Sequence, residues 1–300
     1  MTNIADRYLK SMVSVKSRVS MGSYLNVAAN FFSPGSTRNE FNWAALRYHQ
    51  LHDLRDHLNN AGRAPNTINS YLAAIKGVCK EAWRLKLMDV DDHMRIQDVK
   101  RVKGSRTVKG RALDAKELNT LLDHCLANEG IVAMRDAAMI ALSYGAGLRR
   151  EEAIKLDLER YTPPTKTEIG EICVLGKGNK ERTLPLHRRV SDILECWLDE
   201  RGRDPGPLFV RLYKGGKTKL ERLSDQTVYD VIVRRYKEAG LKKMTPHDLR
   251  RTFGTNLFQA GEADHVIQEM MGHSDPSTTQ IYNMDDSKGK KLSAVKALPL

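Results

Sequence analysis

Paired cysteines are missing from this chain. Cys79, Cys125, Cys173 and Cys196 lie far apart and form no CxxC motif, which argues against a zinc ribbon or a disulfide framework and fits a reducing compartment. Long apolar runs are missing too. None approaches the ~18 residues of a membrane span and the N-terminus has no apolar signal core, so the expected location is the cytoplasm, away from membranes. The run Lys214-Gly215-Gly216-Lys217-Thr218 stops short of a phosphate-binding loop, because Arg211 stands where that pattern needs its first glycine. His49, His52 and His57 share a helical segment over residues 43–58, but no carboxylate or cysteine spacing completes a ligand set. Neither a metal nor a cofactor is therefore expected. Acidic residues are outnumbered, 37 against 49 lysines and arginines, for a formal charge of +12. Such an excess calls for an anionic partner, of which nucleic acid is the commonest.

What is present divides the chain. Its 300 residues suit one large or two ordinary domains. Residues 1–110 carry 18 basic and 9 acidic side chains, and residues 111–300 carry 31 and 28, so most of the excess lies in the first third. Within it, APNTINSYLAAIKGVCKEAWRLKLM (64–88) sets Ile68, Leu72, Ile75, Cys79 and Ala82 at helical spacing, with Pro65 near the start. Lys76, Lys80 and Arg84 lie off that stripe, where they can face phosphates. RVKGSRTVKGRA (101–112) has two glycines, no acid and no apolar periodicity. It reads as a linker, with Arg101, Lys103, Arg106 and Lys109 available to a polyanion, and it divides the chain into 1–104 and 105–300. Beyond it, a helix carrying Ile131, Met134, Ala138 and Leu142 stops at Gly145. EICVL and ERTLPL then flank Gly176–Lys180 as a β-hairpin, and the remainder is mostly helical.

Three short stretches carry chemistry. In Thr245-Pro246-His247-Asp248-Leu249-Arg250, Thr245 suits a helix N-cap, Pro246 the first helical position and Asp248 the answering position of a capping box. At about 100° per residue, Leu249, Phe253 and Leu257 share the buried face, His247 and Arg250 sit at its rim, and Arg251 points away, toward solvent or DNA. In GAGLRREE (145–152), Arg149 and Glu152 stand three apart and can pair, which would fix a guanidinium in one direction. In MMGHSDPSTTQIYNMDD (270–286), Gly272 ends a helix and His273 follows in the turn. Asp275 caps a new short segment and Tyr282 closes it. Lys177 occupies the hairpin tip. Each feature taken alone has an ordinary structural explanation.

Taken in order, GAGLRREE, GKGNKER, HDLR, GH and a tyrosine nine residues after that histidine resemble the tyrosine recombinase (phage integrase) family over roughly 145–282. The segment around APNTINSYLAAIKGVCKEAW resembles that family's helical core-binding domain less specifically. The resemblance implies a mainly α fold: a helical, SAM-like core-binding domain plus a mixed α/β catalytic domain with a small hairpin sheet. It implies a site-specific recombinase in which Tyr282 attacks a scissile phosphate, giving a 3′-phosphotyrosyl link. Arg149 and Arg250 would hold the non-bridging oxygens, Lys177 would protonate the leaving 5′-oxygen, His247 and His273 would hydrogen-bond the phosphate, and Glu152 would support Arg149. The expected partners are a double-stranded recombination site, clamped between the two domains, and further copies of the chain. These form a homotetramer on two sites from a monomer in free solution, with the tail after Tyr282 docked in a neighbouring protomer. Nucleoid association follows. A type IB topoisomerase and a non-catalytic DNA-binding regulator are the rival readings.

Overall fold

The computed structural model describes residues 3–104, 110–176, 179–213 and 218–273. Two compact units organise the chain, Met1–Val108 and Lys109–Leu300.

The first unit is helical: α1 (Ile4–Lys10), α2 (Val15–Phe32), α3 (Tyr48–Asn60), α4 (Pro65–Arg84) and α5 (Val90–Asp98). Helix α4 is the hub and packs against the other four. The expected stripe faces inward throughout, since Ile68, Leu72, Ile75, Cys79 and Ala82 are all buried. Its other side is only partly given to solvent. The Lys76 ammonium donates to the carbonyls of Gln97 and Val99, both at 2.7 Å, and so caps the C-terminal end of α5 where a cation offsets the helix dipole. The sequence reading placed Lys76 on a phosphate-facing surface. Here the charge is instead spent within the fold, because α5 folds back over it. Lys80, Arg84, Arg101 and Lys103 are exposed.

The expected linker is anchored at both ends. Val102 exchanges two hydrogen bonds with the buried Asn69 side chain of α4, at 2.9 and 3.0 Å. At the other end the Arg111 N–H donates to Asp248 at 3.0 Å. Arg106 and Lys109 lie outside the described residues.

The second unit contains α6 (Ala115–Ala127), α7 (Ile131–Gly145), α8 (Arg150–Lys155), β1 (Tyr161–Thr162), β2 (Glu171–Leu175), β3 (Glu181–Pro185), α9 (Arg188–Arg201), β4 (Val210–Leu212), β5 (Thr218–Arg222), α10 (Asp225–Glu238), α11 (Pro246–Gln259) and α12 (Asp264–Met271). Helix α7 runs through its centre. It is buried on every side from Ala137 to Leu142 and packs against α6, α9 and α11. The strands β1, β2 and β3 form an antiparallel sheet in which Cys173 opposes Thr183 and Val174 opposes Arg182. Ile172, Val174 and Leu184 turn into the core, as period-two alternation demands. Strands β4 and β5 pair separately. The architecture is mainly α with a small hairpin sheet, and among the described residues no helix is long and apolar enough to cross a membrane.

One charge sits at the bottom of this unit. Asp136 on α7 is fully buried and accepts from Arg135 at 3.0 Å, from Arg234 and from Arg235 Nε at 2.9 Å. Removing the carboxylate would strand buried guanidinium charge. Asp136→Ala is therefore expected to destabilise the protein by about 3 kcal/mol, read from the shift in its urea unfolding midpoint at constant slope.

Candidate active site

Helix α11 begins as its sequence dictates. The Thr245 backbone N–H and hydroxyl both donate to the Asp248 carboxylate, at 2.7 and 2.8 Å, and Pro246 opens the first turn. This fixes the direction of His247, inside the cap, and of Arg250, two residues after Asp248. Arg250 is 2% exposed and reaches across the unit: it donates to the carbonyls of Gly147 and Met271 and lies 2.8 Å from His273 Nε2. Gly147 lets the backbone come this close. Its φ is +55°, and a Cβ there would sit 2.4 Å from the Phe253 ring.

Arg149 and Glu152 pair as their spacing suggests. Arg149 Nη1 donates to Glu152 Oε1 at 2.8 Å, and the Arg149 backbone N–H donates to Oε2 at 2.9 Å. This is no surface bridge, for Glu152 is 6% exposed. The same carboxylate accepts from Arg182 of β3 at 2.9 Å, and Arg250 stands 3.9 Å away. Three guanidiniums thus converge on one buried carboxylate. Burial works against its charged form, yet hydrogen bonds from Arg182 and from the Arg149 N–H hold its pKa below the usual carboxylate range.

The end of α12 supplies the remaining acceptors. Its last carbonyls have no intrahelical partner, and each takes an arginine: Met270 from Arg182 at 3.0 Å, Met271 from Arg250, and Gly272 from Arg149 at 3.1 Å. Gly272 ends the helix in the left-handed region at φ +61°, ψ +47°, and a Cβ there would press on the Arg182 guanidinium at 2.8 Å. That turn delivers His273, 8% exposed, into the cluster. Because a guanidinium can only donate, His273 Nε2 is the acceptor of the Arg250 contact and the ring is neutral.

Arg149, His247 and Arg250 line one cleft of about 370 Å³, together with Leu148, Arg150, Tyr229, Thr245 and Pro246. Its floor is cationic and rich in donors, and Arg149 opens to solvent with 41% of its side chain exposed. Planar guanidiniums match tetrahedral oxyanions in geometry and charge. Burial first, and then the neighbouring Arg250, push both histidines toward the neutral form; His273 falls to about 4.

Five residues named from the sequence therefore gather here: Arg149, Glu152, His247, Arg250 and His273. Lys177 and Tyr282 lie outside the described residues. Arg251, expected to face solvent or DNA, is 3% exposed instead. The segment entering the unit lies over that side of α11, with the Leu113 N–H bonded to Thr252 Oγ1 at 2.9 Å and a Cβ on Gly110 only 3.4 Å from Arg251 Nη1. The sequence reading missed Arg182. Its signal was alternation along β3, which puts Arg182 on the same inward face as Leu184. It also missed Tyr229, whose place beside the α10 core stripe gives no such sign.

The low pKa of His273 has a consequence for stability. Between its ordinary value of 6.5 and about 4, the unfolded chain binds a proton that the folded chain refuses. Stability due to this residue is present above that window and declines as pH falls through it. His273→Gln, which keeps an acceptor for Arg250, should lessen the loss of unfolding free energy between pH 7 and pH 5, measured by urea titration at both values against wild type.

Comparison with known proteins places residues 111–288 in the phage integrase family. Tyrosine recombinase XerC of Pseudomonas putida strain F1 is 32% identical over 245 residues, covering 80% of this chain and 76% of that protein. Tyrosine recombinase XerC of Salmonella typhi is 39% identical over 178 residues, 57% of this chain and 54% of that protein. Among solved structures, the fold resembles XerH site-specific recombinase bound to a palindromic difH substrate in a post-cleavage complex. There the TM-score is 0.67 at 20% identity over 99% of this chain and 96% of that one. It also resembles a lambda integrase dimer bound to a COC′ core site, with TM-score 0.66 at 16% identity over 93% and 75%. The family match spans more than half the chain and includes the cleft just described: the protein belongs to the phage integrase family, the tyrosine recombinases.

Proposed function

We propose that the cleft binds a DNA phosphodiester and that the protein is a site-specific recombinase that cuts and rejoins strands through Tyr282. The observation that carries this reading is the convergence of Arg149 and Arg250, fixed by Glu152 and flanked by His247 and His273, on one solvent-open cleft. Such an array meets the charge that grows on the non-bridging oxygens as phosphorus becomes five-coordinate, and being fixed beforehand it need not reorganise during the step.

The Tyr282 oxygen bonds to phosphorus, the bond from phosphorus to the 5′-oxygen breaks, and the phenolic proton passes to a neutral imidazole, His247 or His273. Lys177 supplies the proton taken by the departing 5′-oxygen. A phenol has a pKa near ~10, so cationic neighbours and a proton acceptor are what let it attack at neutral pH. The ester bond energy is kept in the phosphotyrosyl link, and attack by another strand's 5′-hydroxyl reverses the chemistry without ATP.

Around this centre, the unit Lys109–Leu300 acts as the catalytic domain and Met1–Val108 as the core-binding domain. Lys80, Arg84, Arg101, Lys103, Arg106 and Lys109 contact the backbone of a duplex recombination site. Phosphate contacts make binding salt-sensitive, while base contacts set the sequence. Exchange takes place in a homotetramer on two sites, assembled from monomers at the nucleoid, with the residues after Tyr282 docked in a neighbouring copy.

A nicked suicide duplex, which loses its 5′-hydroxyl fragment after cleavage, tests the chemistry. Wild type should leave a covalent protein–DNA adduct. Tyr282→Phe should leave none, and Arg250→Ala should slow its formation at least roughly a hundredfold. An adduct formed by Tyr282→Phe would refute the assigned nucleophile. On a plasmid with two sites, recombinant products support strand exchange and relaxed circles alone support a topoisomerase.

A further inference from the structure

Two side chains of the cleft have no part in the chemistry above. Arg150 follows Arg149 but is exposed at the rim, and among the described residues its guanidinium has no hydrogen-bond or ion-pair partner. Tyr229 is half-buried in the wall, and its hydroxyl likewise has no partner among the described residues. They come from distant parts of the chain and meet because α8 packs on α10.

The size of the cleft gives them meaning. About 370 Å³ falls within the range of sites that enclose a small organic molecule, more than one phosphoryl group requires. Arg149, His247 and Arg250 account for one tetrahedral anion. What remains of the lining is a cation, a phenol, Thr245, whose hydroxyl already donates to Asp248, and the apolar surfaces of Leu148 and Pro246. A second charge, a hydroxyl donor and an apolar wall suit the next sugar–phosphate unit of the same strand, whose deoxyribose is largely apolar and whose phosphate needs both a cation and a donor.

We propose that Arg150 and Tyr229 form a binding subsite for the phosphate adjoining the scissile one, Arg150 pairing with its charge and the Tyr229 hydroxyl donating to a non-bridging oxygen. Their task is positioning. By fixing a second point on the strand they set its register over Arg149 and Arg250, so that only one phosphorus is presented for attack. The proposal rests on the cleft being a phosphodiester site. It does not require that Tyr282 react.

The test uses the full chain carrying Tyr282→Phe, so that binding is read without chemistry. A duplex is first selected by this protein from a random pool. Each phosphate in turn is then replaced by an uncharged methylphosphonate, and affinity is measured for this protein and for the same protein carrying Arg149→Ala, Arg150→Ala or Tyr229→Phe. One phosphate should be masked by Arg149→Ala, meaning that its neutralisation costs that variant nothing further. The phosphate next to it should be masked by Arg150→Ala. Arg150→Ala should weaken binding to the unmodified duplex roughly tenfold and reduce the slope of log affinity against log salt by about 0.9, the value for one lost phosphate contact. Tyr229→Phe should weaken binding several-fold at unchanged slope, and neutralisation of that same phosphate should remove its effect.

Additive losses for Arg150→Ala at every phosphate, or an unaltered salt slope, overturn the proposal, as does masking at a phosphate distant from the Arg149 position. A purely structural role gives a uniform loss across all substituted duplexes and so overturns it too. The recombinase reading fails separately, when wild type forms no adduct on the selected duplex; the masking pattern stands or falls independently of that result.

Discussion

Everything at the cleft depends on one buried carboxylate. Glu152 lies among Arg149, Arg182 and Arg250, and neither its charge nor those of the buried Arg182 and Arg250 is tolerable alone at that depth. One negative charge does not balance three positive ones. The last carbonyls of α12 make up part of the difference, since they carry the partial negative end of a helix and lack partners of their own. The remaining positive potential faces the cleft. An anion there completes an array already assembled without it, and binding need not first gather the cations against their mutual repulsion.

The same economy explains the histidines. Two imidazoles beside two or three arginines cannot be charged without adding to the repulsion, so desolvation and those neighbours lower the pKa of both, most for the buried His273. Neutral rings can accept a proton as well as donate one, which suits a site where a proton must leave one oxygen and another must reach a second.

Local features were readable from the sequence and long-range ones were not. The capping box at Thr245 and Asp248, the three-residue interval between Arg149 and Glu152, and the terminal Gly272 are encoded by neighbours within a turn, where chain geometry leaves little choice. Whether a given cation meets water or a carbonyl is decided by elements that pack from elsewhere. Lys76 looked solvent-facing until α5 folded over it, and Arg251 until residues 110–113 covered its side of α11. A helical wheel assumes a single buried face, whereas residues 248–255 of α11 are buried on every side and His247 alone of the first turn is exposed. Arg182 belongs to the same class: alternation gave its direction, but its partners Glu152 and Met270 lie 30 and 88 positions away.

The arginine contacts to Met271 and Gly272 also act as a clasp. Arg182, Arg250 and Arg149 hold the carbonyls of Met270, Met271 and Gly272, and Tyr282 follows Gly272 by ten positions in the sequence. Arg149, Arg182 and Arg250 are thereby tied to a single helix end, so a side chain at Gly272, which would meet the Arg182 guanidinium, would disturb all three together.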